Sequence, residues 1–437
     1  MVSSKKKKVC VVGAGVSGLV SARELRREGH DVTVMEQSGG VGGQWLYDPR
    51  TDGDDPRRGR RAQGSIYASL RLNTPRESMG FSDFPFFPSN DGAGVDARRY
   101  PVHGEFLRYI RDFCDAFGLM DVVRFNTKIL HVGPLAPRGH DGGVPRWTVR
   151  CSSRRGGCEG DAVTAEEVFD AVVVAVGQHN QPRLPAINGM DKWSRRQLHS
   201  HSYRAPDSFK DQVVVVVGCR PSGTDIALEL REAARDVHIS VKSMDDGVTV
   251  FPGMRQAVSR HHNLHLHLQA NRLLVRGRAG GVRRRLLHCR RRHHLLHRVR
   301  LLVPVPGHGR SGHRHRRRQP YKHTFPPALA PALSFVGVPK RVVVPRFYEA
   351  QAMWVAQVLS GRRTLPPEAE MARAAEEYNR AREAAGVPKR LTHDIFDLEY
   401  CDAFGETRCG FPRLEDRKKE LLWSSVKSIS RCHGELP

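Results

Sequence analysis

The sequence predicts an α/β chain built on two Rossmann-like dinucleotide-binding units, and two observations predict it. Near the N-terminus a Gly-rich turn lies between a short apolar strand and an amphipathic helix, and the strand after it ends in an acid. From residue 212 onward the same order of strand, Gly-containing turn, helix and strand recurs.

In the first unit, residues 8–12 read as a strand and residues 19–28 as a helix whose Leu19, Val20, Ala22 and Leu25 share one face. Gly29 stops that helix, and residues 30–35 alternate polar and apolar as a second strand. Between them stand Gly13, Ala14, Gly15, Val16, Ser17 and Gly18. Gly13 permits the tight turn, Gly15 lets the backbone approach a pyrophosphate, and Gly18 lets the helix pack close to the strand. The helix start presents free amides and a positive dipole end to the phosphates. Glu36, 23 residues after Gly13, can accept from a ribose 2′-hydroxyl.

In the second unit, residues 212–217 form a strand, and Gly218, Cys219, Arg220, Pro221, Ser222 and Gly223 form its turn. A helix over 225–232 and a strand over 237–241 follow. Arg220 takes the middle glycine position. Where Glu36 closes the first unit, Ser240 and Lys242 stand in the second, and a basic residue there suits a 2′-phosphate. The pairing expected is therefore FAD in the first unit and NADPH in the second. Nine cysteines occur with no Cys-x-x-Cys pair, which argues against a zinc site, a disulfide framework or a redox-active disulfide.

At 437 residues the chain is long enough for two or three domains on a soft prior of roughly 100–200 residues each. Its net charge of +25 is concentrated. Residues 247–348 hold 22 Lys and Arg and no acid, so the other 335 residues carry only +3, which excludes a uniformly basic nucleic-acid binder. No apolar run approaches the roughly 18–20 residues of a membrane span, and four N-terminal lysines with no apolar stretch behind them do not make a secretory signal. With no apolar C-terminal tail either, a soluble cytoplasmic enzyme is expected. His261, His262, His265 and His267 lie near one another without an acid or cysteine, so no metal site is expected.

Several further motifs resemble those of the flavin-containing monooxygenases, most closely the plant S-oxygenating, glucosinolate-oxidase-like branch. Residues 39–45 (Gly-Gly-Val-Gly-Gly-Gln-Trp) look like that family's second flavin-contacting loop. Residues 69–76 (Ser-Leu-Arg-Leu-Asn-Thr-Pro-Arg) and 81–86 (Phe-Ser-Asp-Phe-Pro-Phe) resemble its flavin-facing segment. Ala175, Val176 and Gly177, with Pro182 and Pro185, resemble its crossover between domains. The family pattern Phe-x-Gly-x-x-x-His-x-x-x-Tyr is matched by His199 and Tyr203, with Trp193 and Arg195 replacing its Phe and Gly. Residues 321–327 and 411–416 also look like this branch.

The resemblance implies a discontinuous FAD domain (1–183 and 321–437) with an NADP domain (184–269) inserted in it. It adds Gly43, Gln44, Trp45, Asn73 and Thr74 to the cofactor-binding residues, and places the Asn73 amide beside the flavin edge as the catalytic side chain. It implies NADPH- and O₂-dependent transfer of one oxygen atom, through a flavin C4a-hydroperoxide, to a soft nucleophile: a sulfide, or an amine. The cofactor carries that chemistry, and no protein nucleophile is required. His199, His201 and Tyr203 are expected to hold the domain junction, and His323 to pack the returning FAD domain. Two alternatives stand beside this reading: a catalytically dead homologue that binds FAD only, and an N-hydroxylating or Baeyer–Villiger monooxygenase on the same scaffold.

Residues 270–319 break the pattern. They contain 16 Arg and no Lys, Asp, Glu, Ile, Phe, Tyr, Trp, Met or Thr, and show no clean strand alternation. An RNA- or DNA-binding insertion, a disordered basic linker and a reading-frame slip in GC-rich coding DNA compete as readings. The slip accounts best for the composition, and the Thr-Gly-Tyr linker that the resemblance implies occurs nowhere in the chain. The expectation is an aberrant segment over 270–320, poorly ordered, that truncates the NADP domain and impairs the chain.

Overall fold

A computed structural model describes residues 6–50, 64–88, 95–135, 146–153, 162–177, 187, 190, 195–241, 252–268, 284–288, 319–388, 391–395 and 397–431, with backbone alone at 252, 284–288 and 426–431. The first unit forms as β1 (Lys8–Val12), α1 (Val16–Arg27) and β2 (Asp31–Met35). The helix opens three residues before the apolar face predicts, because the second half of the glycine turn is already helical and Gly15 is its N-cap. After α2 (His103–Ala116) and β3 (Val123–Arg124), an antiparallel sheet is laid down by β4 (Thr127–Pro134), β5 (Trp147–Ser153) and β6 (Val163–Phe169). The chain then re-enters the first sheet as β7 (Ala171–Val174).

The second unit begins with β8 (Gln197–His199) and continues through β9 (Val213–Val217), α3 (Pro221–Leu230), β10 (Asp236–Val241), α4 (Pro252–Arg260), β11 (Leu264–Leu268) and β12 (Arg284–His288). Its strands form one parallel sheet in the order β11-β10-β9-β12-β8. The chain returns to the first sheet as β13 (Leu333–Phe335), which pairs in parallel with β7 and completes the order β13-β7-β1-β2-β3. The first Rossmann-like domain is thus discontinuous in sequence and the second lies between its parts. β7 and β9 are buried along nearly their whole length, which is why they read as unbroken apolar runs.

Residues 270–319 were expected to be poorly ordered; within them, Arg284–His288 pairs in parallel with both β9 and β8. Ladder hydrogen bonds come from backbone groups that every residue except proline carries in full, so side-chain alternation is not a condition for such a strand. The rest of that segment lies outside the described residues.

The C-terminal helices α5 (Val344–Ser360), α6 (Glu368–Ala384), α7 (Leu398–Cys409) and α8 (Asp416–Arg431) complete the fold. α5 starts with a proline in its first turn, ends at Gly361 with φ +84°, and packs along α1. As expected, His323 is buried in this returning part, its Nδ1 lying 2.9 Å from Nδ1 of His393. Burial, and then the neighbouring Lys340 and Arg382, push His393 down to about 4, and burial pushes His323 well below the ordinary imidazole range too. An unfolded histidine titrates near roughly 6.5, so below that pH the unfolded chain takes up protons that the folded chain refuses. Stability is expected to be full above pH ~6.5 and to fall toward pH 4, by roughly 3 kcal/mol from His393 alone. Urea midpoints measured across that range check this, and His393→Gln should flatten the dependence.

Candidate dinucleotide sites and the junction between them

The N-terminal turn is shaped by its glycines. Gly13 has φ +102°, and its N–H donates to the Met35 carbonyl at 2.9 Å. A Cβ on Gly13 would lie 2.7 Å from the Ala175 carbonyl oxygen, and one on Gly18 only 1.9 Å from the Gly13 carbonyl oxygen. A second loop closes over the first: Gly42 N–H donates to the Ala14 carbonyl at 2.9 Å, and a Cβ on Gly43 would lie 2.9 Å from Gly15 Cα. No side chain caps α1, and no acid stands in its first turn. The result is a bare helix N-terminus flanked by two glycine loops, a cradle that fits a dinucleotide pyrophosphate.

Glu36 is buried at the edge of this cradle. Its Oε2 accepts the Ala14 N–H at 2.7 Å, and its Oε1 accepts the N–H and hydroxyl of Ser38, each at 2.8 Å. A carboxylate offers about four lone-pair sites, so three serve the turn and one is left for a ribose hydroxyl. Gln44 is exposed, and Trp45 packs edge-on against Phe106 of α2 at 4.7 Å.

Asn73 is exposed, and its Oδ1 accepts the Thr74 hydroxyl at 3.4 Å. The backbone around it is held firmly. Leu72 N–H donates to the Pro101 carbonyl and Arg76 N–H to the Arg99 carbonyl, both at 2.9 Å. Arg71 reaches Asp96 at 2.8 Å. Burial raises the Asp96 carboxyl, but hydrogen bonds from Arg98, the Val102 and Arg98 amides and Arg71 outweigh it and hold it at about 2.

The second turn repeats the first. Gly218 has φ +101° and donates its N–H to the Ser240 carbonyl at 2.9 Å, as Gly13 does to Met35. Arg220 is the N-cap, at φ −88° and ψ 174°, extended backbone that any residue adopts. An exposed arginine is therefore accommodated at the middle glycine position, and Pro221 opens α3. Ser222 is half-buried, Gly223 is buried, and Cys219 is buried with its Sγ 3.5 Å from the Thr224 hydroxyl. Lys242 lies outside the described residues.

A family model described as flavin-binding monooxygenase-like matches residues 6–251. The chain is 45% identical to the flavin-containing monooxygenase FMO GS-OX-like 8 of Arabidopsis thaliana, covering 97% of this chain and 90% of that protein. FMO GS-OX-like 9 of the same plant is 44% identical, covering 97% and 91%. The solved structure of S-allyl-L-cysteine S-oxygenase from Allium sativum superposes with a TM-score of 0.81 at 35% identity, over 98% of this chain and 94% of that one. The chain belongs to the flavin-containing monooxygenases.

It is a flavin-dependent oxidoreductase whose cofactors are FAD and NADPH. The six described cysteines of this monooxygenase are free, and burial pushes Cys114, Cys401 and Cys409 up to about 12, far from thiolate chemistry. Among the described residues no helix is long and apolar enough to cross a membrane, and no group of His, Cys, Asp and Glu could hold a metal ion. His265 and His267 share a face of β11 beside His238 of β10.

The structure gathers the family-motif residues at the junction of the two domains. His199 caps a short turn by accepting the His201 N–H at 3.0 Å on its Nδ1. Tyr203 is fully buried, and its hydroxyl donates to Glu229 of α3. The sequence reading missed the rest of this junction. Arg204 is buried and donates to the carbonyls of Asp48, Gly64, His201 and Tyr203. Tyr67 and Ser69 meet the α3 carboxylates. Tyr67, between two flavin-domain motifs, was the available signal, since a buried tyrosine hydroxyl needs a partner.

Proposed function

We propose that this monooxygenase uses NADPH and O₂ to place one oxygen atom on a soft nucleophile, a sulfide before an amine. One atom of O₂ goes to sulfur and the other leaves as water, with two electrons supplied by NADPH. Bound FAD supplies that redox and oxygen-transfer chemistry. The observation that carries the reading is the pair of like-built cradles, each closed by the same glycine N–H to strand carbonyl bond, with Asn73 on a held segment between the second flavin loop and the second unit. The name of the Allium sativum S-oxygenase supports sulfur as the acceptor.

The amides at the start of α1 and the two glycine loops would hold the FAD pyrophosphate, and Glu36 its ribose. Arg220, Lys242 and the start of α3 would take the phosphates of NADPH. The Asn73 amide, which offers two donors and an acceptor, would orient the reacting edge of the flavin and the nicotinamide. We place the enzyme in the cytoplasm. Purified, FAD-loaded protein given NADPH, air and S-allyl-L-cysteine is expected to form one sulfoxide per NADPH consumed, at a rate lowered by the aberrant segment over 270–320. Asn73→Ala is expected to cut sulfoxide per NADPH on the order of tenfold, with H₂O₂ released instead. Flavin-loaded protein that never oxidises NADPH would mark a dead homologue, and lactone from a cyclic ketone would mark the Baeyer–Villiger alternative.

A further inference from the structure

Helix α3 starts in the second dinucleotide turn and carries two carboxylates, Asp225 and Glu229, one turn apart. Glu229 Oε2 accepts the Tyr203 hydroxyl at 2.7 Å, and its Oε1 accepts the Ser69 hydroxyl at 2.7 Å. Asp225 accepts the Tyr67 hydroxyl at 3.1 Å. The Tyr67 and Tyr203 rings meet edge to face at 5.6 Å, and Tyr67 is buried in the apolar core of the second sheet. Ala68 N–H donates to the Arg204 carbonyl at 2.8 Å. From Ser69 the chain runs only four residues to Asn73, fixed on the way by the Arg71–Val102 bridge and the Leu72 to Pro101 bond. A single helix therefore touches the second cradle at its start and, through Glu229, the segment that presents Asn73.

We propose that Glu229 is a positioning residue. Its carboxylate clamps Tyr203 and Ser69 together and so keeps the second cradle in register with Asn73. Both bonds run from a hydroxyl to a carboxylate oxygen, the stronger class of hydrogen bond. The clamp stands apart from both turns, so it acts on the distance between the sites rather than on either cofactor. The proposal rests on the reading of the turn 218–223 as the nicotinamide site.

The test compares Glu229→Ala with Glu229→Gln in the full FAD-loaded chain. Amide exchange at Ala68, Leu70 and Leu72 should quicken on the order of tenfold in Glu229→Ala, while the amides of β1 and α1 keep their rates. The rate of flavin reduction by NADPH should fall by a similar factor, with FAD affinity held within about twofold. Glu229→Gln keeps one acceptor and gains a donor for the Ser69 hydroxyl, so it should restore most of both. Tyr203→Phe should add little on top of Glu229→Ala, as residues in one network do. Unchanged exchange at 68–72 overturns the proposal, as does a loss of FAD or global stability that matches the loss of rate. Should Glu229→Ala fail to fold, Ser69→Ala at an exposed position decides: faster exchange at 68–72 supports the clamp, and unchanged exchange overturns it. Exchange needs no turnover, so a wild-type protein without NADPH oxidation would sink the proposed function and still leave the clamp judged.

Discussion

Gly18→Ala is expected to strip the protein of FAD. A Cβ at Gly18 would lie 1.9 Å from the Gly13 carbonyl oxygen, with the Ala175 methyl at 3.5 Å behind it. Backbone cannot yield as a flexible side chain can, so α1 must lift off the turn and the amides at its start leave the cradle. A fall in FAD affinity on the order of a hundredfold, about 2.7 kcal/mol, is expected. Gly29→Ala is the control. It has φ +83° but nothing within 4 Å of the added Cβ, so it costs only the roughly 1–2 kcal/mol of a left-handed alanine and should keep its flavin. Flavin absorbance per polypeptide after desalting reads both. Full flavin in Gly18→Ala would refute the packing argument.

Arg23→Ala is expected to lose about 3–5 kcal/mol of stability, the usual cost of breaking a buried ion pair. The Arg23 side chain is 2% exposed and pairs with Glu24 at 2.8 Å, Asp83 at 2.7 Å and Glu349 at 2.6 Å. It thereby joins α1 to α5 and to the segment 81–86, where Glu349 also accepts the N–H and hydroxyl of Ser82. Its guanidinium lies over Phe81, Phe113 and Phe117. Alanine there leaves Glu24 and Glu349 buried without their shared cation. Burial already raises the Glu24 carboxyl in the intact protein. In the variant the Glu24 carboxyl should rise further, which destabilises the fold above its folded pKa and relents as falling pH protonates it. Denaturation at pH 8 and pH 5 should therefore show a smaller deficit at the lower pH. Arg23→Lys should not rescue, because a point charge cannot serve three carboxylates in different directions. A deficit that is equal at both pH values would contradict the ionic account.

The same arginine shows where sequence reading stops. The apolar stripe of Leu19, Val20, Ala22 and Leu25 predicts an amphipathic helix, but α1 is buried on all sides from Val16 to Leu25, Arg23 and Glu24 included. Its charged positions look solvated until α5, more than 300 residues later, supplies Glu349. Both glycine turns, by contrast, were legible, because each is a local pattern whose strand, turn and helix follow one another without a gap, though each helix opens inside its turn. The start of α3 was readable and overlooked: Pro221 marks a first helical position. The short strands β8, β12 and β13 were not legible, since none stands in a local strand–turn–helix pattern and their partners lie far off in sequence. Nor was the junction. Nothing local marks Asp225 and Glu229 as partners, and only the fold brings the hydroxyls of Tyr67, Ser69 and Tyr203 against them.

The central claim is that the two cradles hold FAD and NADPH close enough for a hydride to pass between them. The most direct measurement is anaerobic: protein reconstituted with FAD and freed of excess flavin is mixed with NADPH, and absorbance near the oxidised-flavin band is followed. The account predicts that the yellow colour is retained on the protein and then bleaches when NADPH is added, returning on exposure to air. Flavin that washes off, or that stays oxidised under saturating NADPH, would contradict it.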